Sequence, residues 1–145
     1  MDISKELRPI VVVGSINMDL ISATNRIPVA GETILGSDFQ MHPGGKGANQ
    51  AVAVARLGYP VELVGKLGTD VFGEQLRIYL QSAGVGLMGV ETIKGPSGVA
   101  GIVVAATGEN CIVVTPGANA AVPPVYIEQH LPLIRRAGLV LTQLE

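Results

Sequence analysis

The sequence predicts an α/β fold built on a mostly parallel sheet, with a small β-sheet flap beside it. Three observations predict it. Short β-branched runs such as Ile10-Val11-Val12-Val13 and the stretch from Val61 to Val64 alternate with segments of helical periodicity, the pattern of parallel strands joined by right-handed crossovers. Apolar residues make up 48% of the 145 residues and charged residues only 15%, a balance that suits a sheet buried on both faces rather than a solvated chain. Three glycines and a lysine, Gly44-Gly45-Lys46-Gly47, run directly into an Ala/Val-rich helical segment, as where a strand ends and a helix begins around a polar pocket.

The elements follow in order. Residues 10–16 form a buried first strand that ends at Gly14-Ser15. Residues 20–25 and 33–42 are extended and less apolar, joined by the turn Pro28-Val29-Ala30-Gly31. Residues 47–57 are helical: Ala48, Ala51, Val52 and Ala55 share one face, and Gly58-Tyr59-Pro60 ends the helix. Val61 to Val64 is a second core strand. Thr69 or Asp70 caps the next helix, whose apolar stripe is Phe72, Leu76, Tyr79, Leu80 and Ala83, with Gly84 at its C-terminal end. Residues 98–106 and 110–115 make a hairpin around Thr107-Gly108-Glu109-Asn110. Pro123-Pro124 opens a short helix that Pro132 limits, and residues 139–144 are a last buried strand. The excursions at about 20–43 and 92–106 break the alternation and are expected to form a small antiparallel flap at one edge. In such sheets ligands bind beyond the carboxyl ends of the strands, where Asn17, Asp19, the Gly44–Asn49 segment and Glu145 would converge.

Composition narrows the function. A net charge of -2, an isoelectric point of about 5.7 and 3% aromatic residues argue against nucleic acid as a partner. The lone Cys111 lies in an apolar run without a flanking His or Lys; it is expected to be a buried structural thiol, and a reducing cytoplasm is the simplest compartment. No apolar run reaches membrane-spanning length, and Met1 to Arg8 lacks a signal-peptide core, so no membrane partner is expected. His42 and His130 are isolated, with no metal-ligand spacing, so no metal site is expected.

The chemistry lies in one constellation. Carboxylates accept hydrogen bonds, amides donate and accept, and a lysine donates, and Asp19, Glu145, Asn17, Asn49 and Lys46 supply that set for a polyhydroxyl ligand. Gly44, Gly45 and Gly47 allow close backbone approach, and a helix start offers free amide donors. Phosphate is an alternative ligand, although neither G-x-x-x-x-G-K-[ST] nor G-x-G-x-x-G occurs, and a tight turn without any ligand is another. Asp19 alone could be a turn residue or cap, Lys46 a solvated lysine, and Asp70 is better read as a helix cap than as catalytic.

Several motifs in the right order resemble the ribokinase-like (PfkB) carbohydrate kinases. They are Val13-Gly14-Ser15-Ile16-Asn17-Met18-Asp19, Pro28-Val29-Ala30-Gly31-Glu32-Thr33 and Gly44-Gly45-Lys46-Gly47-Ala48-Asn49. Further along come Gly65-Lys66-Leu67-Gly68-Thr69-Asp70-Val71-Phe72-Gly73, Pro116-Gly117-Ala118-Asn119 and Gln143-Leu144-Glu145. The resemblance runs from about residue 9 to the end. It implies a Rossmann-like three-layer α/β/α fold across 1–145, with a lid contributed by the segments about 20–43 and 92–106. It implies that Asn17 and Asp19 bind sugar hydroxyls, that Gly45 adds backbone contacts, that Lys46, Asn49 and Glu145 bind further hydroxyls, and that Gly44 and Gly45 form the lid hinge. Residues 98–102 resemble the lid segment over the sugar's apolar face.

The family's second signature, G-A-G-D, with the aspartate that serves as general base and the anion hole for the transferring phosphoryl group, does not occur in the sequence, nor does N-x-x-E. The expectation is therefore the N-terminal, sugar-binding half of a kinase, inactive by itself. Its parent would transfer the γ-phosphoryl group of ATP, with Mg2+ and a monovalent cation, to the 5-hydroxyl of ribose. Deoxyribose, fructose or adenosine are alternative acceptors, and a non-catalytic sugar-binding or dimerising domain is the alternative of a different class. A homodimer through the lid or an exposed edge is expected.

Overall fold

The computed structural model describes residues 7–143. The elements are β1 (Ile10–Val13), β2 (Asn17–Thr24), β3 (Gly36–Gly44), α1 (Lys46–Arg56), β4 (Val61–Gly68), α2 (Val71–Ser82), β5 (Gly86–Ile93), β6 (Gly98–Ala105) and β7 (Asn110–Thr115). A short 3-10 turn (Gly117–Ala121), α3 (Pro124–Gln129), α4 (Leu131–Arg135) and β8 (Leu139–Thr142) complete the described chain.

Two sheets share the molecule. The first is parallel throughout, in the order β5-β4-β1-β8. Alternation along β1 divides its core between two faces. Val12 and Leu63 pack with Ala48, Ala51, Val52, Leu76 and Leu80 of α1 and α2 on one side. Val11 and Val64 pack with Tyr126, Ile127, Leu133 and Ile134 of α3 and α4 on the other. Helices on both faces make three layers. The Tyr126 hydroxyl is buried and lies 2.9 Å from the Gly65 carbonyl and 2.8 Å from that of Gly89, so its single proton serves two acceptors of β4 and β5.

The second sheet runs β3-β2-β6-β7. Its two outer pairs are antiparallel, but β2 and β6 are parallel, Asn17 opposite Gly98 through Thr24 opposite Ala105. The flap is thus mixed rather than antiparallel. Its central pair is not a hairpin, because β3, α1, β4, α2 and β5 intervene and the chain re-enters the sheet in the same direction.

Both long helices form as their spacing predicts. In α1 the small faces of Gly47, Ala48 and Ala51 are buried, and a Cβ on Gly47 would lie 2.7 Å from the Gly14 Cα, so the helix start rests directly on the end of β1. Asp70 caps α2, accepting from the Gly73 amide at 2.9 Å. The same carboxylate accepts from the Ser97 amide (2.9 Å) and hydroxyl (2.7 Å), and that hydroxyl accepts from the Gly68 amide at 3.0 Å. Asp70 therefore ties the crossover from β5 to β6 to the start of α2.

Four expectations need correction. Residues 86–93 form a strand of the parallel sheet that periodicity missed: two glycines, Met88, Glu91 and Thr92 dilute its apolar content, and as an edge strand it buries only Gly89 and Val90. The last strand is not buried; Leu139 and Val140 on the outer flank of the sheet are 52% and 39% exposed. Cys111 is exposed, since β7 is an outer strand with all six residues in solvent. Pro132 does not stop a helix but sits in the first turn of α4, where its missing N–H costs nothing.

Candidate functional site

The sheets meet at one seam, and the candidate site lies there. The chain leaves β1 through Gly14, Ser15 and Ile16 and enters β2 at Asn17; it leaves β3 at Gly44 and enters α1 at Lys46. Asn17 pairs with Gly44 in the ladder, and Asp19 pairs with His42. A Cβ on Gly44 would overlap the Asp19 carboxylate, so glycine is needed for that side chain to lie across the end of β3. Gly45 has φ 90° and ψ 135°, a conformation open to glycine alone among ordinary residues, and a Cβ there would stand 2.6 Å from the Ser15 carbonyl and 2.8 Å from the Asn17 amide nitrogen. This residue turns the chain from sheet to helix.

Gly45 has no side chain with which to cap α1. Ser15 supplies the cap from a distance: its hydroxyl accepts from the Lys46 amide at 3.1 Å and its carbonyl from the Ala48 amide at 3.0 Å. The helix start is thus locked to the end of β1, with the Lys46 and Asn49 side chains exposed. Asn17 is 6% exposed. Asp19 is half-buried, and its pKa is raised: burial disfavours the charged carboxylate, and the His42 charge opposes that rise.

Strand start and helix start therefore come together with Asn17, Asp19, Gly44, Gly45, Lys46 and Asn49 along one seam. Glu145 lies outside the described residues. A cleft of about 580 Å³ opens beside the seam, lined in part by Gly14, Ser15, Asn17, Asn119, Thr142 and Gln143. Of the predicted site residues among the described residues, only Asn17 lines it. Two contributors were missed by sequence reasoning. Ser15 and Asn119 stand in the motifs quoted above without a role of their own: the Ser15 cap on α1 crosses 31 residues, and Asn119 bonds to both Ile16 and Asn17, more than 100 residues away.

What the seam can do follows from its donors and acceptors. Asp19 only accepts, an amide serves both roles, and Lys46 donates. The set suits hydroxyl groups, each of which donates one hydrogen bond and accepts others. Among the described residues no three His, Cys, Asp or Glu side chains converge as a metal site requires. No helix of the described residues is long and apolar enough to cross a membrane.

Comparison with known proteins places the chain among sugar-kinase relatives. The ribokinase of Bacillus subtilis is 44% identical over 139 residues, covering 96% of this chain and 47% of that protein. A deoxyribokinase of Salmonella typhi is 39% identical over 137 residues, covering 94% of this chain and 45% of its own length. The solved structure of Arabidopsis thaliana ribokinase complexed with ribose and ATP superposes with a TM-score of 0.84 at 40% identity, over 94% of this chain and 45% of that one. The chain spans about half the length of the relatives it matches. The model of the pfkB family carbohydrate kinases matches residues 8–141, β1 through most of β8 and so both sheets of the seam, and the chain belongs to that family.

Proposed function

We propose that this chain is the acceptor-binding part of an ATP-dependent sugar kinase whose acceptor is ribose, phosphorylated at its 5-hydroxyl. The observation that carries the proposal is the seam itself, where Asn17 and Asp19 on β2 meet the glycine-opened start of α1. Asn17 and Asp19 bind sugar hydroxyls, the Gly45 backbone lines the sugar, and Lys46, Asn49 and Glu145 take further hydroxyls. Gly44 and Gly45 are the hinge of a lid formed by the second sheet, with the segments about 20–43 and 92–106 as its principal parts and residues 1–145 as one N-terminal unit of the kinase.

ATP is the phosphoryl donor, with Mg2+ and a monovalent cation. Among the described residues no three His, Cys, Asp or Glu side chains converge, and the sequence contains no G-A-G-D. The residues present here therefore bind and orient the acceptor, and fixing a hydroxyl in line with the transferred group is a large part of phosphoryl-transfer catalysis. The working compartment is the cytoplasm and the partner a second copy of the chain. Deoxyribose is the second candidate acceptor, favoured by the 39% identity to a deoxyribokinase.

Calorimetric titration of the chain with ribose and with deoxyribose tests the proposal. Saturable heat with ribose, lost in Asp19→Ala, is expected. Unchanged ribose binding in a folded Asp19→Ala variant overturns the site assignment, and tighter binding of deoxyribose moves the acceptor to that sugar.

A further inference from the structure

We propose that Asn119 is a positioning residue that sets the hydrogen-bond polarity of the site, holding the Asn17 amide so that its oxygen is used inside the protein and its NH2 group is left for the ligand. The inference rests on the sugar-binding role of Asn17 proposed above and adds the orientation in which that role is performed.

Asn119 lies in the 3-10 turn after β7, 102 residues from Asn17 in sequence. Its side chain meets the backbone of Ile16 as a strand partner would. The Ile16 amide nitrogen is 3.0 Å from Asn119 Oδ1, and the Ile16 carbonyl is 3.1 Å from Asn119 Nδ2. These two contacts leave no freedom in the amide's orientation. A backbone N–H can only donate and a backbone carbonyl can only accept, so Oδ1 must face the first and Nδ2 the second. The other proton of Asn119 Nδ2 then points at the Asn17 side chain, 2.8 Å away, and the atom there must be an acceptor, Asn17 Oδ1. The chemistry of Ile16 thus dictates the orientation of two successive amides. Gly98, opposite Asn17 in the ladder, makes room for the contact; a Cβ there would overlap both Asn119 Nδ2 and Asn17 Oδ1.

The consequence is a polarity along β2. Both Asn17 and Asn119 line the cleft. With its oxygen turned inward to Asn119, Asn17 directs its NH2 donors toward a ligand. Asp19, on the same face two residues along, offers only acceptors. A ligand that spans them must accept at one point and donate at the other. A polyhydroxyl compound does so with any two hydroxyls, whereas a phosphate group is all acceptor and is repelled by the Asp19 carboxylate. The polarity therefore suits hydroxyls, not a phosphate, at this point of the site.

Nuclear magnetic resonance on the isotope-labelled, ligand-free chain tests the orientation directly. The side-chain amide protons of Asn119 should exchange with solvent at least about tenfold more slowly than those of Asn17, because only the former are both donated inside the protein. Equal or reversed protection overturns the proposal. Two variants then test polarity. Asn119→Asp keeps the shape but removes both donors, so Asn17 turns its NH2 group inward and shows its oxygen to the cleft; ribose affinity should fall by about tenfold or more. Asn119→Ala leaves Asn17 free to turn either way and should weaken ribose less. Equal weakening by the two, with thermal stability lowered in parallel, indicates a merely structural role and also overturns the proposal. If ribose shifts no resonance of the unaltered chain, the sugar assignment fails while the exchange comparison still decides the orientation.

Discussion

Asp19 shows how a half-buried carboxylate works against stability. Burial raises its pKa above the unfolded value, with the His42 charge pulling the other way. The folded state therefore holds the proton more readily than the unfolded one, and this group favours folding most below the ordinary carboxylate range and less as pH rises through the raised pKa. At neutral pH the charged form carries the cost of desolvation. Asp19→Asn removes that cost, and because the site is open the gain is small, no more than about 1 kcal/mol. The expected outcome is a slightly higher melting temperature at pH 7, no gain at pH 3, and loss of sugar binding; a lower melting temperature at pH 7 would show that Asp19 is structurally paired. Residues of this kind were legible in the sequence because Asn17, Asp19 and the Gly44–Asn49 run are close together in the chain. Asn119 was not, since its importance lies in hydrogen bonds to Ile16 and Asn17 that cross about 100 residues, and no periodicity records a contact at that separation.

Elements that bury a full stripe were legible in advance, and those that do not were missed or misjudged. The helices α1 and α2 carry four and three buried residues respectively at helical spacing, whereas β5 and β8 lie at the two edges of their sheet: β5 lacks the apolar run of β1, and β8 has one that its edge position leaves exposed. Element boundaries depend on individual side chains, and Asp70 is the clearest. Burial pushes its pKa up, but hydrogen bonds from Ser97 and Gly73 outweigh that and hold it below the usual carboxylate value. Asp70→Ala removes a helix cap worth about 1 kcal/mol and leaves the buried Ser97 amide and hydroxyl without their acceptor, so a loss of about 2–4 kcal/mol is expected. A lower urea midpoint at unchanged slope checks it. The turn after β2 is held by a second carboxylate. Glu32 pairs with Arg26 through both guanidinium nitrogens and accepts from the Val29 amide at 3.0 Å, and the Arg26 hydrogen bond, helped by that from Val29, lowers its pKa from 4.5 to about 2. Its contribution is present above the ordinary value and is lost as pH falls through about 2. Hydrogen exchange at Val29 should therefore lose protection over that acid window in the native sequence, while Glu32→Gln is less protected at neutral pH and shows no such acid transition.

At the scale of the whole molecule, two sheets with different surroundings meet at a seam of glycines. The parallel sheet is covered by helices on both faces. In the second sheet the outer strands β3 and β7 are the exposed part, with Phe39, Met41, Ile112, Val113 and Val114 all about half exposed or more, while Thr24 and Ala105 of the central strands are buried. Its edge strands β3 and β7 carry unpaired ladder groups, the usual starting point for strand-to-strand association. The sequence foretold a flap beside a parallel sheet because the excursions broke the strand–helix alternation, but not the parallel pairing of β2 with β6, which depends on how the chain returns after five intervening elements. Exposed apolar outer strands of this kind favour a symmetric contact with a second copy, since the same patch then covers itself. Light scattering should give twice the 15.0 kDa chain mass. Val113, at 67% exposure, is the position least tied to folding, so Val113→Asp should return the chain to a monomer without changing its melting temperature by more than a few degrees. A native chain that scatters as a monomer at micromolar concentration removes the dimer. A dimer that survives Val113→Asp moves the interface to the exposed flank of β8, where Leu139 and Val140 offer the other uncovered apolar strip of the described residues.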